Sequence, residues 1–428
     1  MTGLAQTFGH VRTLAADIAA GRVTSRDLVE RALARIEATD AEVHAWIVVL
    51  ADEARAAARL LDSQTPRSPL HGIPIGIKDV IDVAGVQTRA NCGARADYPP
   101  AAADATVVAN LRAAGAVILG KTHTTELAYY ESVPPTRNPH DVARTPGGSS
   151  AGSAASVASG TVPLAIGTQT AGSVNRPAAY CGVGAFKPST TSISGHGVVP
   201  LAPSFDTVGA FGATAADAAL LAAGYAPAHL RLGTRPAGAS RIVVLQDPLL
   251  AKADAETRTE VAALAKRLAA SGLMVDALAS PVSLDDVRAT HRVVLLAELA
   301  LTHASLPQDK LAPGLAADIA AGAKILAAEY HRALAALAKF RETFWAAFAP
   351  ADILLLPAAP AVAPIGTATG DPSFVIPVTA LGGPAATVRA GTGAASKMPV
   401  GAMLTGPPGT DSRLAAFLLH EADPALAL

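Results

Sequence analysis

Residues Thr145–Gly182 read TPGGSSAGSAASVASGTVPLAIGTQTAGSVNRPAAYCG, and the first question they raise is where so little charge can sit. From Thr145 to Asn175 there is no Asp, Glu, Lys or Arg, a run longer than the roughly 20 residues needed to cross a bilayer. Its first half is Ser, Gly and Ala, and Pro163 and Gly167 interrupt the more apolar second half, so no continuous apolar helix can form. Burial inside a protein is the remaining reading. A Gly/Ser turn at 147–150 leads into the helix-compatible AGSAASVA, then the apolar strand VPLAIG, then a second small-residue turn at 170–173. Turns, helices and short apolar strands in this alternation predict an α/β fold, layered α/β/α, with a mixed, mostly parallel central sheet flanked by helices.

Working outward, residues 1–62 read as a helical N-terminal cover, with Thr24 and Asp27 forming a capping box ahead of LVERALARIEA. PLHGIPIGIKDVIDVAG has the β-branched, Gly/Pro-punctuated pattern of short buried strands, one of which ends at Lys78. A helix over 105–114, the strand AVILG and a short helix near 124–128 continue the βαβ alternation. Residues 213–345 are Ala-rich and read as helical apart from the strand RIVVLQ. ADILLLP, PAATV and PVGAMLTG then return to strand character within 346–428. No linker and no internal repeat appears, so 1–428 reads as one domain with its core in 69–209.

Composition narrows the function. A formal net charge of −1, no basic block and 4% aromatic residues lack the features of a nucleic-acid binder. Charged residues make up only 16% of the chain and apolar ones 50%, which means extensive burial, a sizeable self-association surface or a membrane; with no continuous apolar span, the low charge fraction is read as a homodimer. The start, MTGLAQTFGHVRTLAADIAAG, lacks the charged leader and apolar core of a targeting signal, and a cytoplasmic location is expected. Cys92 and Cys181 are too few for a disulfide framework and read as buried thiols.

Three motif matches fail on physical grounds. GAVILGKT at 115–122 fits the P-loop pattern, but a P-loop needs an open loop between its glycines, and Ala, Val, Ile and Leu are the strand itself. Gly148–Gly152 fits G-x-S-x-G, yet ARTPGG cannot supply the buried strand that a nucleophile elbow requires. His123 and Glu126 lack the second histidine of a zinc helix. No metal or cofactor is expected.

Three segments remain: Lys78 in GIPIGIKDV, Ser149 and Ser150 in TPGGSS, and Ser173 in GTQTAGSVNRPAAYCG. Buried hydroxyls and a buried amine must find partners, because an unpaired buried polar group costs roughly 1–3 kcal/mol. These segments resemble the amidase signature family, serine hydrolases with a Ser–Ser–Lys triad. The resemblance runs from about 69 to 209 and is supported by TRNPHDVARTPGGSS, RPAAYCGVGAFKPS and SFDTVG, with weaker echoes in ADILLLPAAPAVAP and MPVGAMLTGPPG. It implies Ser173 as nucleophile, Ser149 as the bridging serine, preceded by a cis peptide bond, and Lys78 as base. It also implies an oxyanion hole in the backbone N–H groups of Thr170, Ala171, Gly172 and Ser173.

That assignment agrees with elementary chemistry. A serine hydroxyl needs a positioned base, and lysine serves only where desolvation or nearby positive charge lowers its pKa. Ser150 is expected to support the network through Lys78 or the neighbouring backbone. Asp79 reads equally as a partner in it or as a plain loop acid, and Asp206 as structural. Where many relatives carry Gly, this chain has Ala171; a positive φ there would bring strain.

Arg176, three places after Ser173 as in the malonamidase-type branch, reads either as a reader of a substrate carboxylate or as a structural arginine held by backbone carbonyls. Tyr129 and Tyr130 read as acyl-pocket residues or as core aromatics. The helices within 290–345 are expected to shape the rest of the pocket. The resemblance implies a small linear amide as substrate, carboxylate-bearing or carbamate- or urea-like. Competing readings are the A-type component of an amidotransferase built from several subunits, from whose usual DTGGSIR the chain's QTAGSVN departs, and a non-catalytic scaffold.

Overall fold

The computed structural model describes residues 3–230, 232 and 241–421. The ends of the expected 1–428 domain, and 231 and 233–240 within its helical region, lie outside the described residues. Its strands are β1 (Trp46–Val49), β2 (Pro74–Lys78), β3 (Val117–Thr122), β4 (Leu164–Gln169), β5 (Gly184–Lys187), β6 (Thr207–Gly212), β7 (Arg241–Gln246), β8 (Met274–Ala279), β9 (Asp352–Pro357), β10 (Ala385–Thr392) and β11 (Pro399–Thr405). They form one eleven-stranded sheet in the order β1-β3-β2-β4-β6-β5-β10-β11-β9-β7-β8, flanked by helices.

The sheet is mixed, as expected, but it is not mostly parallel. Parallel pairing occurs between β2 and β3, β2 and β4, β7 and β8, and β7 and β9, while the other six pairings are antiparallel. The βαβ alternation holds at the two parallel groups. Between them β5, β6, β10 and β11 pair antiparallel; of these pairs only β10 and β11 are joined by a short turn, and the others come together through long connections that set no common direction. Two further expectations need correction. The N-terminal cover is not wholly helical, since Trp46–Val49 adds an edge strand antiparallel to β3. Met274–Ala279 is also a strand, exposed or half-exposed along its length at the opposite edge, and edge positions without a buried face carry no apolar alternation to read.

Local signals hold where they are strongest. Thr24 accepts the Asp27 amide while Asp27 accepts the Thr24 amide, closing the capping box that starts the Ser25–Val43 helix. GAVILGKT contains β3, buried throughout. AGSAASVA is the helix Ala151–Ala158 with every residue buried, packed against β4, of which all six residues are buried. Burial of Leu164 and Ile166 contributes about 1.5–3 kcal/mol each and fixes the floor on which the chemistry-bearing turns rest. Gly152 permits a close approach: a Cβ there would lie 2.3 Å from the Ala45 carbonyl oxygen. Among the described residues no helix is long and apolar enough to cross a membrane.

Candidate active site

Lys78 is the last residue of β2, and Thr168 lies near the end of the parallel neighbour β4. Crevices beyond the carboxyl ends of parallel strands are where α/β sheets place ligands. The side chain is fully buried. Its Nζ lies 2.7 Å from Ser149 Oγ, 2.8 Å from Thr168 Oγ1 and 3.4 Å from the Thr168 carbonyl oxygen, and no carboxylate is within ion-pair distance among the described residues. Burial pushes its pKa well below the ordinary 10.5, against a weaker upward pull from Asp206.

Ser149 and Ser150 sit in the turn before the Ala151–Ala158 helix, and the Gly148–Ser149 peptide bond is cis. Ser150 Oγ donates to the Thr168 carbonyl and accepts the Thr168 amide, so of its two expected partners it holds the backbone. It does so at a position where Gly167 leaves room, since a Cβ there would come within 2.5 Å of the Ser150 hydroxyl. The Ser150 amide donates to the Ser173 carbonyl at 3.4 Å, tying the two serine turns together. Ser149 and Ser173 face one cavity of about 800 Å³. No hydrogen bond joins their hydroxyls among the described residues.

The turn Thr170–Ser173 is held from outside. The Thr170 hydroxyl donates to Asp206 at 2.5 Å. His291 Nε2 lies 2.9 Å from the Thr170 carbonyl, which as an acceptor requires the Nε2–H form, and Thr379 donates to the Ala171 carbonyl at 2.6 Å. Gln169 closes the far side: its Oε1 accepts the amides of Val174 and Asn175. The amides of Ala171, Gly172 and Ser173 have no acceptor among the described residues and line a concave turn open to the cavity. Ala171 is absent from the positive-φ residues, so its side chain introduces no backbone strain.

Asp206 also accepts the amides of Leu201 and Ala202, and burial raises its pKa to about 6. Asp79 is not a partner of Lys78. It forms a buried ion pair with Lys121 at 2.9 Å and accepts the amides of Arg89 and Ala90, so the P-loop-like lysine is a buried structural cation. Arg176, only 3% exposed, donates to the carbonyls of Gly370 and Gly148 at 2.9 and 2.8 Å. Both oxygens are backbone, as the structural reading expected. Tyr129 and Tyr130 do line the cavity, but both hydroxyls donate to Asp318. Cys92 and Cys181 are buried free thiols.

Residue-by-residue reading missed Thr168, the second partner of the amine; of the helices expected within 290–345 to shape the pocket, the helix Leu284–His303 starts earlier and turns Arg288, His291, Arg292 and Leu295, none of them named from sequence, toward the cavity. Their i, i+3, i+4, i+7 spacing is a single helical face. Its mixture of cations and apolar groups was the available signal.

The Amidase family model matches residues 27–415. The A component of the glutamyl-tRNA(Gln) amidotransferase of Anaeromyxobacter sp. (strain K) is 35% identical, with 94% of each chain covered. AtzE, the 1-carboxybiuret hydrolase component of Pseudomonas sp. (strain ADP), is 43% identical over 45% of this chain and 44% of that protein. Among solved structures, native peptide amidase from Stenotrophomonas maltophilia superimposes with a TM-score of 0.83 at 28% identity, covering 98% of this chain and 97% of its own.

Proposed function

The chain belongs to the amidase family, and on that premise we propose that it is an amidohydrolase cleaving the C–N bond of a small linear amide through an acyl-enzyme on Ser173. The observation that carries the reading is the dry amine of Lys78, 2.7 Å from Ser149 Oγ and free of any carboxylate partner among the described residues. A neutral amine has two N–H donors and one lone pair. The two Thr168 oxygens take the donors, which leaves the lone pair for the Ser149 hydroxyl.

In this reading Lys78 accepts the Ser149 proton as Ser149 accepts the Ser173 proton, and Ser173 Oγ attacks the amide carbon. The oxyanion is met by the amides of the Thr170–Ser173 turn. Lys78, now an ammonium, returns its proton through Ser149 to the leaving nitrogen, the C–N bond breaks, and ammonia or an amine departs. Water then attacks the acyl group, giving its proton to the same relay; the ester bond to Ser173 Oγ breaks, the relay returns the proton to Ser173, and the acid leaves. The single sheet running from β1 to β8 supports one catalytic domain. The low charge fraction supports a homodimer.

A second reading, the amidase component of a larger assembly, is favoured by the 35% identity to an amidotransferase component across nearly the full length of both chains. One experiment separates the readings. The purified chain alone is treated with a serine-reactive fluorophosphonate and with a set of small amides, including carbamates and ureas. An adduct on Ser173 with ammonia release supports the free-standing amidase. An adduct without turnover favours the partner-dependent component, and neither result rejects both.

A further inference from the structure

The proposed amidase leaves open which end of its cavity reads charge. Three arginines face that cavity: Arg176, Arg288 and Arg292. Both terminal nitrogens of Arg176 are held by backbone carbonyls; its Nε also has no acceptor among the described residues, but the residue is only 3% exposed, and the nearby charge of Asp371, which lines the same cavity, already acts on it. Arg292 is paired with Asp318, which also takes the hydroxyls of Tyr129 and Tyr130.

Arg288 is differently placed. Its Nη2 reaches Asp285 at 2.7 Å, but the other oxygen of Asp285 takes Lys252 at 3.2 Å, so one carboxylate serves two cations. Its Nε is buried with no acceptor, although the side chain as a whole is 43% exposed, as expected where a cavity opens. A buried donor without a partner is costly unless a ligand completes it.

We propose that Arg288 reads a carboxylate at the far end of the substrate, so that the enzyme prefers amides whose acyl chain ends in an anion. The inference rests on the amidase reading of Ser173. About 800 Å³ is the volume of a pocket for a drug-sized molecule, and Leu201, Leu295 and Ile376 form apolar walls. The substrate class is therefore an ω-carboxy amide with an apolar body: carbonyl at Ser173, chain along the walls, anion at Arg288.

The test compares monoamides of dicarboxylic acids, from malonamate through succinamate and adipamate to suberamate, with unsubstituted alkanamides of equal length, by ammonia release. The wild type should prefer the anionic member of a pair, increasingly with length. Arg288→Gln should lower the ratio of kcat/KM for anionic over neutral amides by roughly ten- to a hundredfold, chiefly through KM. Arg288→Glu should turn the preference against the carboxylate. Circular dichroism and fluorophosphonate labelling of Ser173 check that each variant is folded with its site intact. A wild type without preference, or an intact Arg288→Gln that keeps it, overturns the role of Arg288 alone. A wild type that neither takes the label on Ser173 nor cleaves any amide overturns the amidase reading, and this inference with it.

Discussion

Arg176 Nη2 donates to the carbonyl oxygen of Gly148 at 2.8 Å, so the arginine three places after Ser173 clamps the backbone immediately before Ser149. A second bond from Nη1 to Gly370 fixes the guanidinium across two loops. Burial lowers its pKa to about 10, which still leaves it charged at neutral pH.

Because a lysine cannot reproduce that two-pronged geometry, Arg176→Lys should lower stability by about 1–3 kcal/mol. It should also reduce kcat/KM for neutral and anionic amides by similar factors. Chemical denaturation and paired kinetics check this; a loss confined to anionic amides would make Arg176 a carboxylate reader instead.

Ser173→Ala should reduce kcat by at least ~10³-fold while shifting stability by no more than about 1 kcal/mol, since only one hydroxyl is removed. Ammonia release and a urea melt provide the two numbers. Near-normal turnover would place the nucleophile elsewhere.

The ion pair of Asp79 and Lys121 is buried on both sides. Removing one partner strands the other charge, so Asp79→Asn should cost roughly 3–5 kcal/mol, measured by equilibrium unfolding. The double variant Asp79→Leu with Lys121→Met should recover most of that loss. If Asp79→Asn alone were neutral, the pair would not be carrying charge.

Asp206 acts on Lys78 from a distance, and its negative charge raises the amine's pKa. Asp206→Asn removes that pull, so the acid limb of the kcat/KM profile should move to lower pH. An acid limb that stays in place would mean that Asp206 acts only through the Thr170 turn.

How legible all this was in the sequence depended on how local each signal is. The charge-free run from Thr145 to Asn175 fixed the buried helix and β4, and the capping box fixed the helix start at Ser25, because both are near-neighbour patterns. The arrangement of Lys78 and Ser149 was reached through family resemblance, and their separation along the chain gave no independent measure of distance. Thr168 went unread because a threonine in a strand is ordinary, and only the parallel pairing of β2 with β4 brings it to the amine. The antiparallel centre of the sheet was invisible because strand direction is a property of partners. The helices within 290–345 were readable as a pocket wall through the family resemblance, but not which side chains, Arg288 and His291 among them, face the cavity, since what they cover lies more than a hundred residues away in β4 and its turn.

Lys78 has a second consequence, in stability. Its folded pKa lies below the unfolded value near 10.5, so between the two the unfolded chain binds the extra proton and stability rises with pH through that window. Lys78→Met should therefore be more stable than the wild type at neutral pH, without that rise, while losing amide turnover. Unfolding curves recorded across the window would show it; a destabilised Lys78→Met would mean that the amine's contacts outweigh its desolvation.

The central claim is that an uncharged Lys78 activates Ser173 through Ser149, and its most direct measurement is the rate of fluorophosphonate capture at Ser173 as a function of pH, with the modified residue located by mass spectrometry. The rate should climb with pH and level off below the ordinary lysine range, and it should collapse in Lys78→Met. Capture at another residue, or wild-type rates in Lys78→Met, would contradict it.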